Sequence, residues 1–263
     1  MNKLLTTAAL ACGLAVTSVQ ANDDRGLFFS FENKIRPGSI ELYESFIPNI
    51  PGVSAAETPT ITYNAIRTFG DFYLEGQILI NVDYNGKEHT WAIDQPLNNW
   101  IGYLTGFAFG FNKTLEHMCI KDNGSRLEFF TGVEDPDTCA DPRQKATLFT
   151  FRRSVEDTPP QLPIPLPEGT VTPGGLLTIN SDGCLINNYG GAQYPEDAKV
   201  DFRAGLVYYK SSDDIPYDGL LPTGYYGGGA GEVTIAGVAN QNEILACGFD
   251  RRAIYYNPQV LFR

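Results

Sequence analysis

The chain has 263 residues, of which 43% are apolar and 12% aromatic, and this composition indicates a folded core rather than a disordered chain. Its formal net charge is −12, so it lacks the excess of basic residues with which proteins neutralise nucleic acid phosphates or anionic membrane surfaces. This charge argues against nucleic acid binding and against attachment to anionic membranes.

The N-terminus has the three parts of a cleaved secretory signal. Lys3 gives a positive start, residues 4–19 are uncharged, and Val19 and Ala21 are small residues at the two positions that a signal peptidase reads. The uncharged stretch is shorter than the ~20 residues that a membrane-spanning helix needs. We therefore expect residues 1–21 to be removed, and the mature chain to be periplasmic, secreted or at the cell surface, without membrane insertion.

The segment from Gln77 to Asp94 predicts a β-hairpin. Asn85-Gly86 is a two-residue turn of the primed type, which matches the twist of antiparallel strands. The register set by this turn places Ile78 opposite Ile93, with one face apolar and the other mostly polar, as in a half-buried strand pair.

The segment from Trp100 to Phe111 alternates aromatic or large apolar residues with small ones, which predicts a strand whose back is approached closely by another layer. Further predicted strands are Leu27–Phe31, Ile40–Phe46, Thr60–Ile66, Thr147–Arg152, Leu176–Ile179, Asp201–Tyr209, Glu232–Val238 and Ile244–Phe249.

A second predicted hairpin turns at Asn123-Gly124, and its register places Ile120 opposite Leu127 and Met118 opposite Phe129. Removal of the signal would take away Cys12 and leave four cysteines, which in an oxidising compartment predict two disulfides. Their spacing is too wide for a zinc site of closely paired cysteines. Because a disulfide is favoured between nearby elements, we expect a bond between Cys119 and Cys139. The other bond, by elimination, is Cys184–Cys247.

Five prolines lie among ten residues at the start of the segment 158–173, and such a run favours an extended spacer. We interpret residues 158–173 as a linker between a β-sandwich domain, residues 22–157, and a smaller β domain, residues 174–263. The predicted fold class is thus all-β: an antiparallel β-sandwich followed by a smaller β-rich unit, with two disulfides.

No catalytic, nucleotide or zinc-protease motif occurs in the sequence, so the catalytic residues stay unknown and no metal site is predicted. The register of the first hairpin makes His89 a packed or rim histidine, and His117 lies on a different hairpin. Acidic pairs such as Asp71 and Glu75 are as readily explained by a solvated surface as by catalysis.

The long segment from Asp213 to Gly231 combines acids, tyrosines and glycines without regular periodicity, which predicts a loop of the kind that often carries function. Its tyrosines offer flat faces for a sugar or protein, and its carboxylates can accept hydrogen bonds from hydroxyl groups. The predicted ligand-binding residues are Asp214, Asp218, Tyr225 and Tyr226. No cofactor is expected, with calcium held by the acids of this loop as the alternative.

These observations favour an exported, non-enzymatic binding or assembly protein, whose partner is a carbohydrate or a protein at the cell surface. One alternative is a secreted hydrolase or lyase that acts on polysaccharides. A second alternative is a structural subunit of a surface assembly.

Overall fold

The structure of the chain is a computed structural model. The predicted signal peptide, residues 1–21, and the predicted linker, residues 158–173, lie outside the residues that it describes. The described residues are 25–35, 37–68, 72–108, 110–122, 126–131, 133–135, 139–142, 148–153, 175–193, 200–210, 217, 219–234 and 237–255.

The described part of the chain is mostly β-strand with few helices, which confirms the all-β prediction. The helices are α1 (Ile40–Phe46), α2 (Trp100–Ala108) and α3 (Arg251–Tyr255), and a 3-10 turn spans Pro37–Ser39. The strands are β1 (Arg25–Lys34), β2 (Val53–Ala55), β3 (Thr60–Thr68), β4 (Tyr73–Tyr84), β5 (Lys87–Leu97), β6 (Lys113–Leu115), β7 (Met118–Asp122), β8 (Arg126–Thr131), β9 (Val133–Asp135), β10 (Ala140–Pro142), β11 (Leu148–Arg153), β12 (Leu176–Ile179), β13 (Cys184–Gln193), β14 (Val200–Lys210), β15 (Gly224–Thr234) and β16 (Gly237–Cys247).

Fourteen of these strands form one mixed sheet in the order β16-β13-β12-β5-β4-β3-β1-β15-β14-β11-β8-β7, with β2 paired to β4 and β6 paired to β5. Strand β5 runs parallel to both β6 and β12, whereas its pairing with β4 is antiparallel. The prediction of a plain antiparallel sandwich is therefore wrong. The parallel pair β5–β6 arises because a helix, α2, connects the two strands and returns the chain to the same edge.

Strands from before and after residues 158–173 pair directly with each other, since β1 lies beside β15 and β5 lies beside β12. Any two units of this chain would therefore share one sheet. The predicted boundary itself falls outside the described residues and stays a prediction.

The apolar core lies where distant strands of the sheet meet. The rings of Tyr63 on β3 and Tyr209 on β14 are 4.9 Å apart, although β1 and β15 lie between these strands in the sheet. Phe129 on β8 likewise approaches to 3.7 Å from the place that a Cβ atom would take on Gly76 of β4. The sheet thus curls around its core. Among the helices of the described residues, none is long and apolar enough to span a bilayer.

The first hairpin confirms the predicted turn at Asn85-Gly86, and both turn residues have positive φ. Its register agrees with the prediction as far as Leu79 opposite Ala92, but Ile78 then lies opposite Asp94 instead of Ile93. The cause is a β-bulge, which gives β5 one extra residue, Ile93, and shifts every later pair.

Two predicted strands are helices. The segment Trp100–Ala108 forms α2. The alternation does not distinguish a strand from a helix here, because the spacing of four residues between Gly102 and Gly106 fits one face of a helix as well as one face of a strand. The side chain of Asn99 accepts a hydrogen bond from the backbone N–H of Gly102 (2.9 Å) and caps the first turn. The segment Ile40–Phe46 is α1, with Tyr43 and Phe46 buried at a helical spacing of three.

The glycine-rich segment is a strand over part of its length. The loop prediction for residues 213–231 is wrong from Gly224 onward, because β15 begins there and pairs with β1 and β14 on its two sides. Backbone hydrogen bonds to two neighbours hold this strand although glycine contributes no packing of its own.

Both predicted disulfides are confirmed. Cys119–Cys139 closes a short loop, and Cys184–Cys247 joins residues that lie opposite each other on β13 and β16. The two strands of the second predicted hairpin, β7 and β8, also pair, but their register is displaced by two residues, with Ile120 opposite Phe129. The predicted turn at Asn123-Gly124 lies outside the described residues. Because the displacement is an even number, the predicted faces are kept.

Candidate active site

One lysine is buried against a carboxylate at the edge of the sheet. The Nζ atom of Lys113, at the start of β6, lies 2.5 Å from Oε1 of Glu75 on β4, and the two side chains are 6% and 5% exposed. The other lysines whose side chains the structure describes, Lys34, Lys87 and Lys121, are exposed. Since lysine and glutamate are rarely buried without a specific partner, this pair marks a candidate site.

The β4–β5–β6 pairing brings these two residues together. Lys113 lies beside Gln95 in the parallel pairing of β6 with β5, and Leu97 of β5 lies opposite Glu75 of β4. All four residues therefore share one face of the sheet. The Lys113 side chain has to cross over β5 to reach Glu75, so the ion pair lies above the centre of this three-stranded segment.

Three groups donate hydrogen bonds to Glu75. Oε1 accepts from Lys113 and from Nε2 of Gln77 (2.8 Å), and Oε2 accepts from the hydroxyl group of Tyr73. The amide oxygen of Gln77 accepts in turn from Nδ2 of Asn64 on β3 (3.1 Å). Burial, followed by the negative charge of Glu75, raises the pKa of Tyr73, so that its phenol stays protonated and continues to donate.

Helix α2 covers this polar face through two glycines. A Cβ atom on Gly102 would lie 2.5 Å from Cε2 of Tyr73, and one on Gly106 would lie 2.7 Å from Cγ of Lys113. Any larger residue would therefore displace the helix or the lysine stem. The Nζ atom also lies 5.3 Å from the ring centre of Phe111, so the amine has an apolar neighbour beside its carboxylate partner.

Gln95 is the unusual member of this face. Its side chain is fully buried, yet neither its amide nitrogen nor its amide oxygen has a hydrogen-bond partner among the residues that the structure describes. The bulge explains why Gln95 rather than Asp94 faces Lys113, because the extra residue reverses the alternation of β5. Nδ2 of Asn112, the residue before Lys113, donates to the carbonyl oxygen of the bulged Ile93 (2.6 Å).

Two carboxyl groups with raised pKa, those of Asp94 on β5 and of Glu116 directly after β6, lie on the other face of this part of the sheet. Burial raises the pKa of Asp94 to about 6, although Thr114 and Tyr217 donate hydrogen bonds to it (2.9 and 3.4 Å). Burial, followed by the negative charge of Asp94, raises the pKa of Glu116 to about 7. These groups exchange protons near neutral pH, which is common close to functional sites.

Of the four predicted ligand-binding residues, the structure describes Tyr225 and Tyr226, and it places them away from this site. Asp214 and Asp218 lie outside the described residues, so a calcium site between them stays a prediction. Tyr225 is exposed and its ring packs 5.0 Å from that of Tyr208, while the hydroxyl group of Tyr226 donates to the carbonyl oxygen of Pro222. Both tyrosines are on β15, which pairs with β1 and β14 and not with the strands of the site.

Sequence reasoning missed Lys113 and Gln95, and it left Glu75 as readily explained by a solvated surface as by catalysis, whereas Glu75 is buried. No local signal marks them, because Lys113 and Glu75 are 38 positions apart and meet only when β5 lies between their strands. The prediction for His89 is confirmed: it is buried and lies edge-on to Tyr84, with ring centres 5.9 Å apart. Within the part of the chain that the structure describes, no group of three or more potential ligands could hold a metal ion.

Solved structures of enzymes share this fold. No protein-family model and no curated protein matches the chain. Fourteen chains of solved structures do, among them the enduracididine biosynthesis enzyme MppR in complex with pyruvate. It is 12% identical, has a TM-score of 0.57, and the alignment covers 85% of this chain and 89% of MppR.

Two acetoacetate decarboxylases match in a similar way. The enzyme from Legionella pneumophila subsp. pneumophila str. Philadelphia 1 is 16% identical with a TM-score of 0.56, over 85% of this chain and 86% of that one. A further acetoacetate decarboxylase is 14% identical with a TM-score of 0.57, over 89% and 94% of the two chains. These findings contradict our prediction of a non-enzymatic binding or assembly protein. The chain has the fold of acetoacetate decarboxylase-like enzymes.

Proposed function

We propose that this protein is an enzyme that forms an imine between the amine of Lys113 and the carbonyl carbon of a small oxo acid. The observation that carries the proposal is the buried contact of 2.5 Å between Lys113 and Glu75 within a fold that occurs in enzymes. Lysine amines form imines with carbonyl substrates, and partial removal from water is one way in which enzymes make them reactive.

Glu75 supplies the acid–base chemistry that the step needs. The ammonium group of Lys113 gives a proton to Oε1 of Glu75, and the free amine attacks the carbonyl carbon, so that a C–N bond forms and the π electrons move to oxygen. A proton moves from the adduct nitrogen to that oxygen and gives a neutral carbinolamine. Glu75 then returns its proton to the hydroxyl group, which leaves as water while the nitrogen lone pair forms the C=N bond of a protonated imine.

The donors around Glu75 fit this role. Tyr73 and Gln77 hold both carboxylate oxygens in place, which fixes Oε1 beside the amine throughout the transfer. Helix α2 covers the pair and limits competition from water, since Gly106 packs against the lysine stem.

The substrate class is proposed from the fold relatives. Acetoacetate, named by the two decarboxylases, is a 3-oxo acid, and pyruvate, bound in the MppR complex, is a 2-oxo acid. A protonated imine withdraws electrons from the neighbouring carbon. With a 3-oxo acid, the bond to the carboxylate breaks, its electron pair moves towards the imine nitrogen, and carbon dioxide leaves. With pyruvate, a proton on the methyl carbon is labilised in the same way.

The test is reductive trapping. The mature protein is incubated with pyruvate or acetoacetate, reduced with borohydride, digested and analysed by mass spectrometry. We expect a reduced adduct on Lys113. Carbon dioxide release from acetoacetate and deuterium exchange into the methyl group of pyruvate then identify the reaction that follows imine formation.

Two variants control this experiment. Lys113→Arg keeps the positive charge but cannot form an imine, so it should give no adduct. Lys87→Arg changes an exposed lysine, the first residue of β5, and should trap as well as the unaltered protein. An adduct that survives in Lys113→Arg, or no adduct with either oxo acid, would refute the proposal.

We also propose that the enzyme works outside the cytoplasm. Two disulfides are typical of an oxidising compartment, and the N-terminal residues have the pattern of a secretory signal. Export of a tagged full-length chain and N-terminal sequencing of the mature form test this proposal.

A further inference from the structure

Gln95 has an amide group without a hydrogen-bond partner among the residues that the structure describes. It is fully buried, and both of its polar atoms lack hydrogen bonds within the described residues, whereas the amide of its neighbour Gln77 donates to Glu75 and accepts from Asn64. Buried polar groups are nearly always paired, so an unpaired amide in a native fold calls for a ligand, a water molecule or a function.

The register places this amide beside the reactive amine. Gln95 is the β5 partner of Lys113 in the parallel pairing and faces the same side of the sheet. Lys113 crosses β5 to reach Glu75 on β4, so its Nζ atom lies over the strand that carries Gln95. A carbonyl carbon bonded to Nζ would therefore lie within reach of the Gln95 amide.

We propose that Gln95 is a catalytic residue that binds the reacting oxygen of the carbonyl group during imine formation. Nε2 donates to the carbonyl oxygen as negative charge develops on it. Oε1 then accepts from the hydroxyl group of the carbinolamine and holds it until it leaves as water. This inference rests on the proposed imine chemistry and assigns a role that Lys113 and Glu75 do not fill.

The chemistry of the amide supports this assignment. A carboxylate accepts hydrogen bonds only and would satisfy just the nitrogen of Gln95, whereas a carbinolamine hydroxyl group both accepts and donates and matches the two free atoms. The amide is uncharged, so it adds a donor without altering the proton exchange between Lys113 and Glu75. A fixed donor in a site that excludes water stabilises a developing oxyanion strongly.

The test compares activity with stability in Gln95→Met, which has a similar volume and no hydrogen-bonding groups. The activity readouts are the rate of reductive trapping with pyruvate and the exchange of its carbonyl oxygen with ¹⁸O-labelled water, which imine formation and hydrolysis produce. We expect both rates to fall by roughly 10²–10³-fold, the usual loss of one oxyanion donor. We expect stability in urea to be unchanged or raised, because the Gln95 side chain makes no hydrogen bond within the described part of the chain.

Asn187→Leu is the matched control. Asn187 is a buried amide whose Oδ1 also lacks a partner within the described residues, but it lies on β13, two strands from β5 in the sheet. Its replacement should leave both rates unchanged.

The outcomes separate this inference from the proposed function. If the unaltered protein traps pyruvate and Gln95→Met traps it at the same rate, the inference on Gln95 fails while the imine chemistry stands. If Gln95→Met is slower only because it is also unfolded or clearly less stable, Gln95 is structural and the inference fails. If the unaltered protein traps no oxo acid, both fail.

Discussion

Replacing Lys113 by methionine removes the cation from a carboxylate that the fold holds away from water. Glu75 is 5% exposed and Lys113 is 6% exposed, so bulk water screens neither charge well. At 2.5 Å the Coulomb attraction is about 7 kcal/mol with an effective dielectric constant of about 20. Most of this attraction offsets the desolvation of the two ions, so the intact pair contributes little net stability.

Removing one partner has a much larger effect. A buried charge left without its counterion typically costs about 3–5 kcal/mol. Glu75 keeps two donors, Tyr73 and Gln77, and we therefore expect Lys113→Met to lower the free energy of unfolding by about 3 kcal/mol. The double variant Lys113→Met/Glu75→Gln removes both charges, and its cost should be about 1 kcal/mol.

The assay is equilibrium unfolding in urea at neutral pH, with the disulfides kept oxidised, for the unaltered protein, both single variants and the double variant. The four values form a double-mutant cycle, and we expect an interaction energy of at least about 2 kcal/mol. Lys87→Met, at the exposed start of β5, is the control and should change stability by less than about 0.5 kcal/mol.

Two results would refute the reasoning. A cost below about 1 kcal/mol for Lys113→Met would mean that water reaches Glu75 and that the amine is an ordinary surface lysine. Additive effects of the two single changes would mean that the charges do not interact. Either result would also remove the buried contact on which the imine chemistry is proposed.

Three further predictions concern the surroundings of the site. Because the pKa of Asp94 is raised to about 6, the folded protein binds more protons than the unfolded chain between about pH 4 and 6. The contribution of this group to the free energy of unfolding should therefore fall by about 1–2 kcal/mol as pH rises through that range. In Asp94→Asn, the urea midpoint should depend less on pH over the same range. Gly106→Ala should lower stability by about 1–3 kcal/mol and slow reductive trapping, because its Cβ atom would lie 2.7 Å from the lysine stem. Gly227→Ala has open space around its Cβ atom and should change neither property. Equal effects of the two variants in thermal melts and trapping assays would contradict this prediction. Replacing both cysteines of the Cys184–Cys247 disulfide by serine opens a loop of 63 residues and should lower the free energy of unfolding in urea by about 4 kcal/mol. A loss below about 1 kcal/mol would show that β13 and β16 stay ordered without the disulfide.

The parts of the fold that sequence reasoning found are those with local causes. Asn85-Gly86 determines its hairpin within two residues, and the closeness of Cys119 to Cys139 favours their bond. The helix at Trp100–Ala108 was missed because a spacing of four residues between Gly102 and Gly106 fits strand alternation as well as a helix face. The need to return the chain from β5 to a parallel β6 favours the helix, and that need is not local.

The candidate site was missed for the same reason. A lysine and a glutamate in distant segments carry no pattern, and Lys113 differs from Lys87 only in what the sheet places around it. The tyrosine-rich segment attracted attention because its composition is unusual, whereas the site consists of common residue types in an uncommon environment. Burial of a charged pair is a property of the assembled sheet, and composition does not report it.

The bulge at Ile93 shifts the side-chain alternation of β5 by one residue. On the C-terminal side of the bulge, the positions that face the two sides of the sheet are exchanged, although the residue types stay the same. Without the bulge, Asp94 would lie next to Lys113, and the site would hold two carboxylates and one ammonium group. Its net charge of −1 would repel an anionic oxo acid. With the bulge, the residue next to Lys113 is the neutral Gln95, and the charges of Lys113 and Glu75 cancel. Two proteins with the same side chains in this strand therefore differ in the substrate charge that they favour when one strand has the bulge and the other does not.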